Sequence, residues 1–378
     1  MTPPPSAAVN WGERAHRLAE RVVRPLAGRI DREDRIPDEL LRELARERFL
    51  GLGLPEEWDG SGGDTRSTAT VLELLAHESA AVAVTLAVHL SVCAQPILEW
   101  GTDDQKERFL RPLARGERVG AFALTEPNAG SDTVRLATRY RRDDHGFVLR
   151  GTKMFTSNAV SAGVVLVFAT HDPALGSRGI SAFIVPPGTG GFSVAQRLDK
   201  MGLRGSETTE LVLSDVPLGA DALLGPEGSG LKVALSALAG GRVGIASCAL
   251  GVAQAAFDVL LESVREEDAE WKRSALARAY AELSSARALV EVAAARKDAG
   301  QPFVREASVA KLVASRAAVT IASLGVDVAG AAGARSGHPA ERLLRDARVF
   351  PIVEGTTEIQ ELILARSLVD PPDPRNRY

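Results

Sequence analysis

Glu354 stands on a short turn, Val353-Glu354-Gly355, inside the run Arg345–Gln360. A carboxylate flanked by Ile352 and Val353 is poorly hydrated if that turn faces inward, which raises its pKa and suits it to proton abstraction. A solvated loop glutamate near a helix N-terminus, favoured there by the helix dipole, is the plainer reading of the same residues. A helix is predicted to enter from Pro339 and break at Pro351, because proline removes an N–H and clashes with the preceding turn. A second helix is predicted beyond it, with Thr357 and Gln360 at capping-box spacing ahead of Ile359, Leu362 and Ile363.

Other segments could also do chemistry. In Leu124-Thr125-Glu126-Pro127-Asn128-Ala129-Gly130-Ser131-Asp132, small residues and backbone N–H groups could cradle a phosphate or the polar edge of a ring system. A lone glycine-containing loop is equally an ordinary turn. Lys153–Ala159 sets Phe155 two residues before Ser157 at a strand end, which suits stacking on a planar cofactor or, more plainly, a core Phe beside a turn Ser. Lys200–Leu211 reads as a glycine-containing hairpin. Arg242 interrupts an apolar helix at Gly240-Gly241-Arg242-Val243-Gly244. A buried arginine requires a partner, so it belongs either to a structural ion pair or to a site.

The elements that must carry these segments fall into three regions. Helical periodicity covers Trp11–Ala27, Pro37–Glu47, Ser67–His77 and Ala80–Trp100, the last apolar all round. Thr102 and Gln105 form a capping box that opens a helix to about Leu113. From Val119 the texture changes to strands at Val119–Leu124, Ala137–Arg142, Phe147–Arg150, Val164–Ala169, Ile180–Val185 and Glu210–Leu213, spaced as in an antiparallel sandwich or barrel. Long helices return at Leu231–Glu266, Ala269–Asp298 and Arg305–Val328. The expected domains are 1–118, helical; 119–227, antiparallel β; and 228–378, a helical bundle, an α+β chain. Residues 1–8 read as a loose arm and Pro371–Pro374 as a disordered end.

With 378 residues the chain can bury large cores, and a net charge of −4 gives no reason to expect nucleic acid or an anionic membrane surface. Cys93 and Cys248 lie in apolar helical context and read as buried thiols, with no metal-ligand spacing. No signal-peptide pattern opens the sequence and no apolar run reaches membrane-spanning length, so a cytoplasmic protein is expected.

In this order and spacing, Leu124–Asp132, Lys153–Ala159, Lys200–Leu211, Gly241–Gln254 and Arg345–Gln360 resemble the acyl-CoA dehydrogenase family, from about residue 10 to 368. The resemblance implies an N-terminal helical domain, a middle β domain and a C-terminal four-helix bundle, with FAD between the last two. It implies dehydrogenation of an acyl thioester to an enoyl thioester, with Glu354 as the base and hydride transfer to flavin N5. Some relatives carry the base just before the arginine; here that position is Gly241, which cannot serve. The Glu354 N–H and a flavin hydroxyl would hold the thioester carbonyl. Phe122, Leu124, Thr125, Gly130, Ser131, Phe155, Ser157, Thr356 and Glu358 match flavin-contacting positions. Ser131, Leu90, Cys93, Ala94, Ala239, Arg242, Val353 and Gly355 fall at substrate positions, with His89–Ile97 lining the acyl pocket. An electron-transfer flavoprotein and a homodimer or homotetramer are the implied partners.

The chain departs from the family pattern at four places. Arg265–Trp271 is shortened and acidic where an Arg-x-x-Phe-Gly segment is usual, and Asp327–Ala331 only partly matches a cofactor-touching segment. Ala239 replaces a common acid near the pantetheine, and Val353 replaces a tyrosine. Val353 suggests a reshaped pocket for a branched or functionalised chain, one version being γ,δ-dehydrogenation of an enoyl thioester. Ala239 and Asp268 suggest a carrier-protein thioester in secondary metabolism. A flavin monooxygenase, against which Glu354 argues, a flavin oxidase and a scaffold protein without FAD complete the alternatives.

Overall fold

The computed structural model describes residues 9–267 and 269–369. The expected arm at 1–8, Asp268 and the 370–378 end lie outside the described residues. The first helix, α1, covers residues 11–33; α2 is Asp38–Arg46, α3 Thr65–Glu78, α4 Ala80–Trp100 and α5 residues 103–114. The Thr102–Gln105 capping box is present, with reciprocal bonds of 3.0 and 3.2 Å. Helices α1, α4 and α5 each contain a π turn, at Ala19–Val23, Val88–Ala94 and Lys106–Leu110. Pro25, Pro96 and Pro112 follow two residues after these turns. A wider turn accommodates the missing N–H and the ring's clash with the preceding carbonyl, so each helix continues through its proline. Helix α1 runs to Glu33, beyond the expected end at Ala27.

The strands are β1 Val119–Ala123, β2 Arg139–Asp143, β3 Gly146–Ser157, β4 Ala162–Thr170, β5 Ile180–Val185, β6 Phe192–Arg197, β7 Thr208–Gly219 and β8 Leu223–Leu224. They form one sheet in the order β6-β7-β3-β2-β4-β5-β8, with β1 paired to β4. The expected sheet was antiparallel, and most ladders are. The β1–β4 ladder is parallel, as is a single β2–β4 pairing. The β2–β3 hairpin lies between β1 and β4 in sequence, and this long connection lets β4 return in the same direction. Strand β6 was not foreseen because its side chains are mostly exposed and lack an apolar face. Alternation along β4 sends Val164, Leu166 and Phe168 to a core shared with α4 and α5, and Val165, Val167 and Ala169 to the opposite core.

The chain closes with α6 Gly230–Glu266, α7 Glu270–Asp298, α8 Val304–Gly333, α9 Pro339–Ala347 and α10 Thr357–Val369. Helix α8 kinks at Gly330, where φ is 57°. Contrary to the expectation from sequence, α4, α6 and α8 are each long and apolar enough to cross a membrane by length and composition, and their most apolar windows are 78%, 78% and 50% buried within the protein. Both cysteines are free and buried. Burial pushes the Cys93 thiol up to about 12 and raises that of Cys248 as well.

Helix α6 approaches α3 so closely that a Cβ at Gly251 would stand 2.2 Å from the Glu73 carbonyl oxygen, a backbone atom. At Gly325 of α8 the nearest such atom is 3.6 Å away, an ordinary contact. Alanine is favoured over glycine by about 1 kcal/mol at an unhindered helix position. Gly325→Ala is therefore expected to stabilise the protein by about that amount, whereas Gly251→Ala is expected to destabilise it by about 1–3 kcal/mol through overpacking. Denaturant titration of both variants checks this opposition of sign.

Candidate active site

Beyond α9 the chain turns at Pro351, whose carbonyl accepts the Thr357 N–H at 2.8 Å. The cap of α10 differs from the expectation: the Thr356 hydroxyl accepts the Ile359 N–H at 3.3 Å, which makes Thr356, not Thr357, the capping side chain. Gln360 is buried and reaches back to donate to the carbonyls of Gly355 (3.0 Å) and Glu354 (3.4 Å). Lys311 on α8 also donates to the Gly355 carbonyl, at 2.7 Å. These bonds hold Glu354 at φ 52°, a left-handed conformation unusual for a residue with a Cβ. Among the described residues, the Glu354 N–H has no hydrogen-bond partner.

The Glu354 side chain points inward to α6. Both carboxylate oxygens are shut off from solvent and neither has a hydrogen-bond partner. One lies 2.0 Å from where a Cβ on Gly241 would stand. Burial raises the Glu354 pKa to about 7, against the opposing pull of the Arg242 and Lys311 charges. Arg242 is 5% exposed, and its Nε is also buried without a partner. It makes no closed ion pair; the two opposite charges share a dry space without satisfying one another. Val353 packs against the helical core, and Ala239 is buried one turn before Val243. Glu358 is exposed at the start of α10.

The second group of predicted residues gathers around β1 and the end of β3. The Met154 N–H donates to the Thr125 carbonyl at 2.8 Å, which joins the Leu124–Asp132 loop to β3. Beneath it, fully buried Lys153 meets Glu126 at 2.7 Å and the Leu124 carbonyl at 3.1 Å. Glu126 also accepts the backbone N–H groups of Ala137 and Thr138, so this buried pair fixes the loop at both ends. Phe155 is 63% exposed with φ 55°, held with its ring outward, and the core reading of this residue does not apply. Thr125 and Ser157 are half-buried beside it, Phe122 tilts against Phe168, and Leu124 is buried. Gly130 and Ser131 are exposed, and nothing lies within 4 Å of a Cβ built on Gly130. The buried Thr156 hydroxyl lacks a partner. An outward aromatic face, open backbone and spare hydroxyls fit FAD, the cofactor implied by the resemblance.

The acyl-pocket residues do not stay together. Leu90 lines a cavity of about 360 Å³ with Ser91, Gln95, Val243 and Gly244. Cys93 and Ala94 do not; both are fully buried in the core that α4 shares with the sheet, where Cys93 abuts Gly120 of β1. His89 likewise serves as a tie, accepting the Gly120 N–H at 3.0 Å and bonding the Leu50 carbonyl at 2.8 Å. The Lys200–Leu211 segment is a clip: Leu203 N–H donates to buried Asp346 at 2.6 Å and Gly205 N–H to Asp34 at 2.7 Å. Sequence reasoning missed Lys311 and Lys153. For Lys311, an isolated lysine within an apolar stretch was the available signal.

The acyl-CoA dehydrogenase N-terminal, middle and C-terminal domain families match residues 9–117, 121–216 and 228–369. The acryloyl-CoA reductase (NADH) of Anaerotignum propionicum is 40% identical over 365 residues, 94% of this chain and 92% of that protein. The chain belongs to the acyl-CoA dehydrogenase family. Among solved structures, this family member resembles butyryl-CoA dehydrogenase from Megasphaera elsdenii with a TM-score of 0.93 and 37% identity, over 95% of this chain and 97% of that one. A chain solved in work on the electron transferring flavoprotein of Acidaminococcus fermentans gives 0.94 and 34%, over 95% and 97%. The acyl-CoA dehydrogenase fold expected from sequence, with helical, β and helical regions in order, is therefore established.

Burying Glu354 has a stability consequence. An unfolded glutamate ionises near 4.5 and the folded one near 7, so between these values the unfolded state holds fewer protons and stability falls as pH rises. Glu354→Gln removes that cost and is expected to stabilise the protein by on the order of 3 kcal/mol at pH 8, and by much less at pH 5. Denaturation of both proteins at the two pH values checks this.

Proposed function

We propose that this protein is an FAD-dependent dehydrogenase of short acyl-CoA thioesters, with Glu354 as the base that removes the α-proton. The observation that carries the assignment is the buried, unpartnered Glu354 carboxylate with its pKa near 7, facing a bare glycine on α6. A base poised near the working pH combines a useful deprotonated fraction with real proton affinity. The free Glu354 N–H is available to the thioester carbonyl, where it would stabilise the charge that develops as the α-proton leaves. Arg242 and Lys311 keep the carboxylate from rising beyond the neutral range.

Phe122, Leu124, Thr125, Gly130, Ser131, Phe155 and Ser157 would hold FAD on the sheet side, with Thr356 and Glu358 on the α10 side. When bound, FAD supplies the two-electron acceptor for the hydride from the β carbon. Substrate is placed by Arg242, Gly355 and the space beside Gly241. An electron-transfer flavoprotein is the proposed acceptor, supported by the similarity to the Acidaminococcus fermentans chain. A soluble cytoplasmic enzyme assembling as a homodimer or homotetramer through its bundle is part of the same reading. Trp271 and Tyr280, 55% and 62% exposed on α7, support that assembly.

Glu354→Gln is expected to abolish flavin bleaching by butyryl-CoA under anaerobic conditions, and the wild-type kcat/KM is expected to rise with pH through about 7. Substantial bleaching by the variant would overturn the base assignment. Gly241→Ala offers a gentler test. Its Cβ would displace the flexible end of Glu354 rather than backbone, so folding should survive while turnover falls by on the order of 100-fold. Melting curves beside steady-state kinetics separate the two effects.

A further inference from the structure

The cavity beside Leu90 holds a charge that the dehydrogenation described above does not use. Its walls come from the loop at Leu52–Gly63 and the start of α3, from α4, from the Gly240–Gly244 face of α6 and from the end of α7, where Lys297 reaches in. The Lys297 ammonium lies 3.0 Å from where a Cβ on Gly240 would stand, and over the Phe303 ring at 5.7 Å. Among the described residues it makes no hydrogen bond and no ion pair. The two carboxylates at the cavity are already committed to backbone. Asp64 accepts the Ser67 N–H at 2.7 Å, and Asp298 accepts the N–H groups of Thr65 and Arg66 at 2.7 and 3.2 Å. Glu99, the other nearby acid, forms no ion pair with Lys297. Lys297 is half-buried and its ammonium still reaches the cavity, so it is available to an incoming counter-charge, which its partial desolvation favours.

The same helix joins this charge to the base. Gly240 faces Lys297 and Gly241 faces Glu354, so no α6 side chain stands between them. Consecutive Cα atoms are about 3.8 Å apart, so the two contacts of 3.0 and 2.0 Å place ammonium and carboxylate within about 12 Å of each other. An acyl chain of a few carbons spans that interval. Leu90 and Val243 offer it apolar contact, and Ser91 and Gln95 add polar groups to the same cavity.

We propose that Lys297 selects acyl thioesters whose distal end is a carboxylate: the α carbon lies at Glu354, the chain crosses the bare Gly240–Gly241 surface, and the far carboxylate pairs with the Lys297 ammonium. This rests on the reading of Glu354 as the base. The lysine touches the substrate away from the reacting atoms, so it acts on specificity.

The test uses the flavin-loaded enzyme with matched thioesters ending in methyl or carboxylate: pentanoyl against glutaryl, hexanoyl against adipoyl, octanoyl against suberoyl. At the best-fitting length, the carboxylate-ended substrate is expected to have the higher kcat/KM by on the order of 30-fold, mostly through KM. Lys297→Met should erase or invert that ratio while turnover of the methyl-ended partner persists, and Lys297→Arg should restore most of it. Wild-type enzyme that shows no carboxylate preference at any length overturns the proposal, even if Lys297→Met fails to fold. So does a preference that Lys297→Met leaves unchanged. Dehydrogenation of methyl-ended chains without such a preference overturns this inference alone, whereas no reaction with either series overturns the Glu354 reading and the inference with it.

Discussion

The close approach of α6 to everything around it organises this molecule. A Cβ at Gly230 would meet the Ser181 backbone at 2.5 Å, one at Gly251 the Glu73 carbonyl at 2.2 Å, and one at Gly241 the Glu354 carboxylate at 2.0 Å. Sheet, N-terminal helices and base are thus all positioned against one rod, at distances only glycine permits. The arrangement has a cost, because glycine is the poorest helix former apart from proline. A helix of 37 residues carrying these glycines depends on its neighbours for stability, and they in turn depend on it for position.

That mutual dependence lets the protein keep a carboxylate where it is uncomfortable. The Glu354 carboxylate is buried and unbonded, and its residue is left-handed, three separate penalties at one position. The turn survives because Lys311, Gln360 and Thr357 hold its carbonyls, leaving the side chain and the N–H free. Arg242 sets the balance by its separation. A closed Arg242–Glu354 pair would hold the carboxylate low and make it a weak base, whereas an open one leaves it near neutrality. Reactivity here comes from interactions left unmade, within a frame whose other polar groups are largely satisfied.

Much of this could be read from the chain because it is local. The capping box at Thr102, the apolar periodicity of α3 and α4, the buried cysteines and the Glu354 turn each follow from a few neighbouring residues. The misses are long-range. Gln360 looked like a cap because its spacing from Thr357 was right, but the Gly355 carbonyl captured its side chain. His89 and Cys93 share a helix with Leu90 and so suggest pocket residues, yet both are taken up by contacts with Gly120 of β1. The parallel β1–β4 pairing depends on a crossover that strand-by-strand reading does not contain. In α6 and α8, Arg242 and Lys311 interrupt the apolar run in the sequence without breaking the helix that carries them, which hides two of the three membrane-length helices.

The two thiols have a further use. Cys93 is sealed where α4 meets β1, while Cys248 sits in the helical core around α6. Neither has the access or the acidity that would let an alkylating reagent attack the closed protein. Each can react only when its own interface opens, so the chain carries two internal clocks. Their labelling rates would report separately how often the sheet parts from the first helices and how often the bundle breathes.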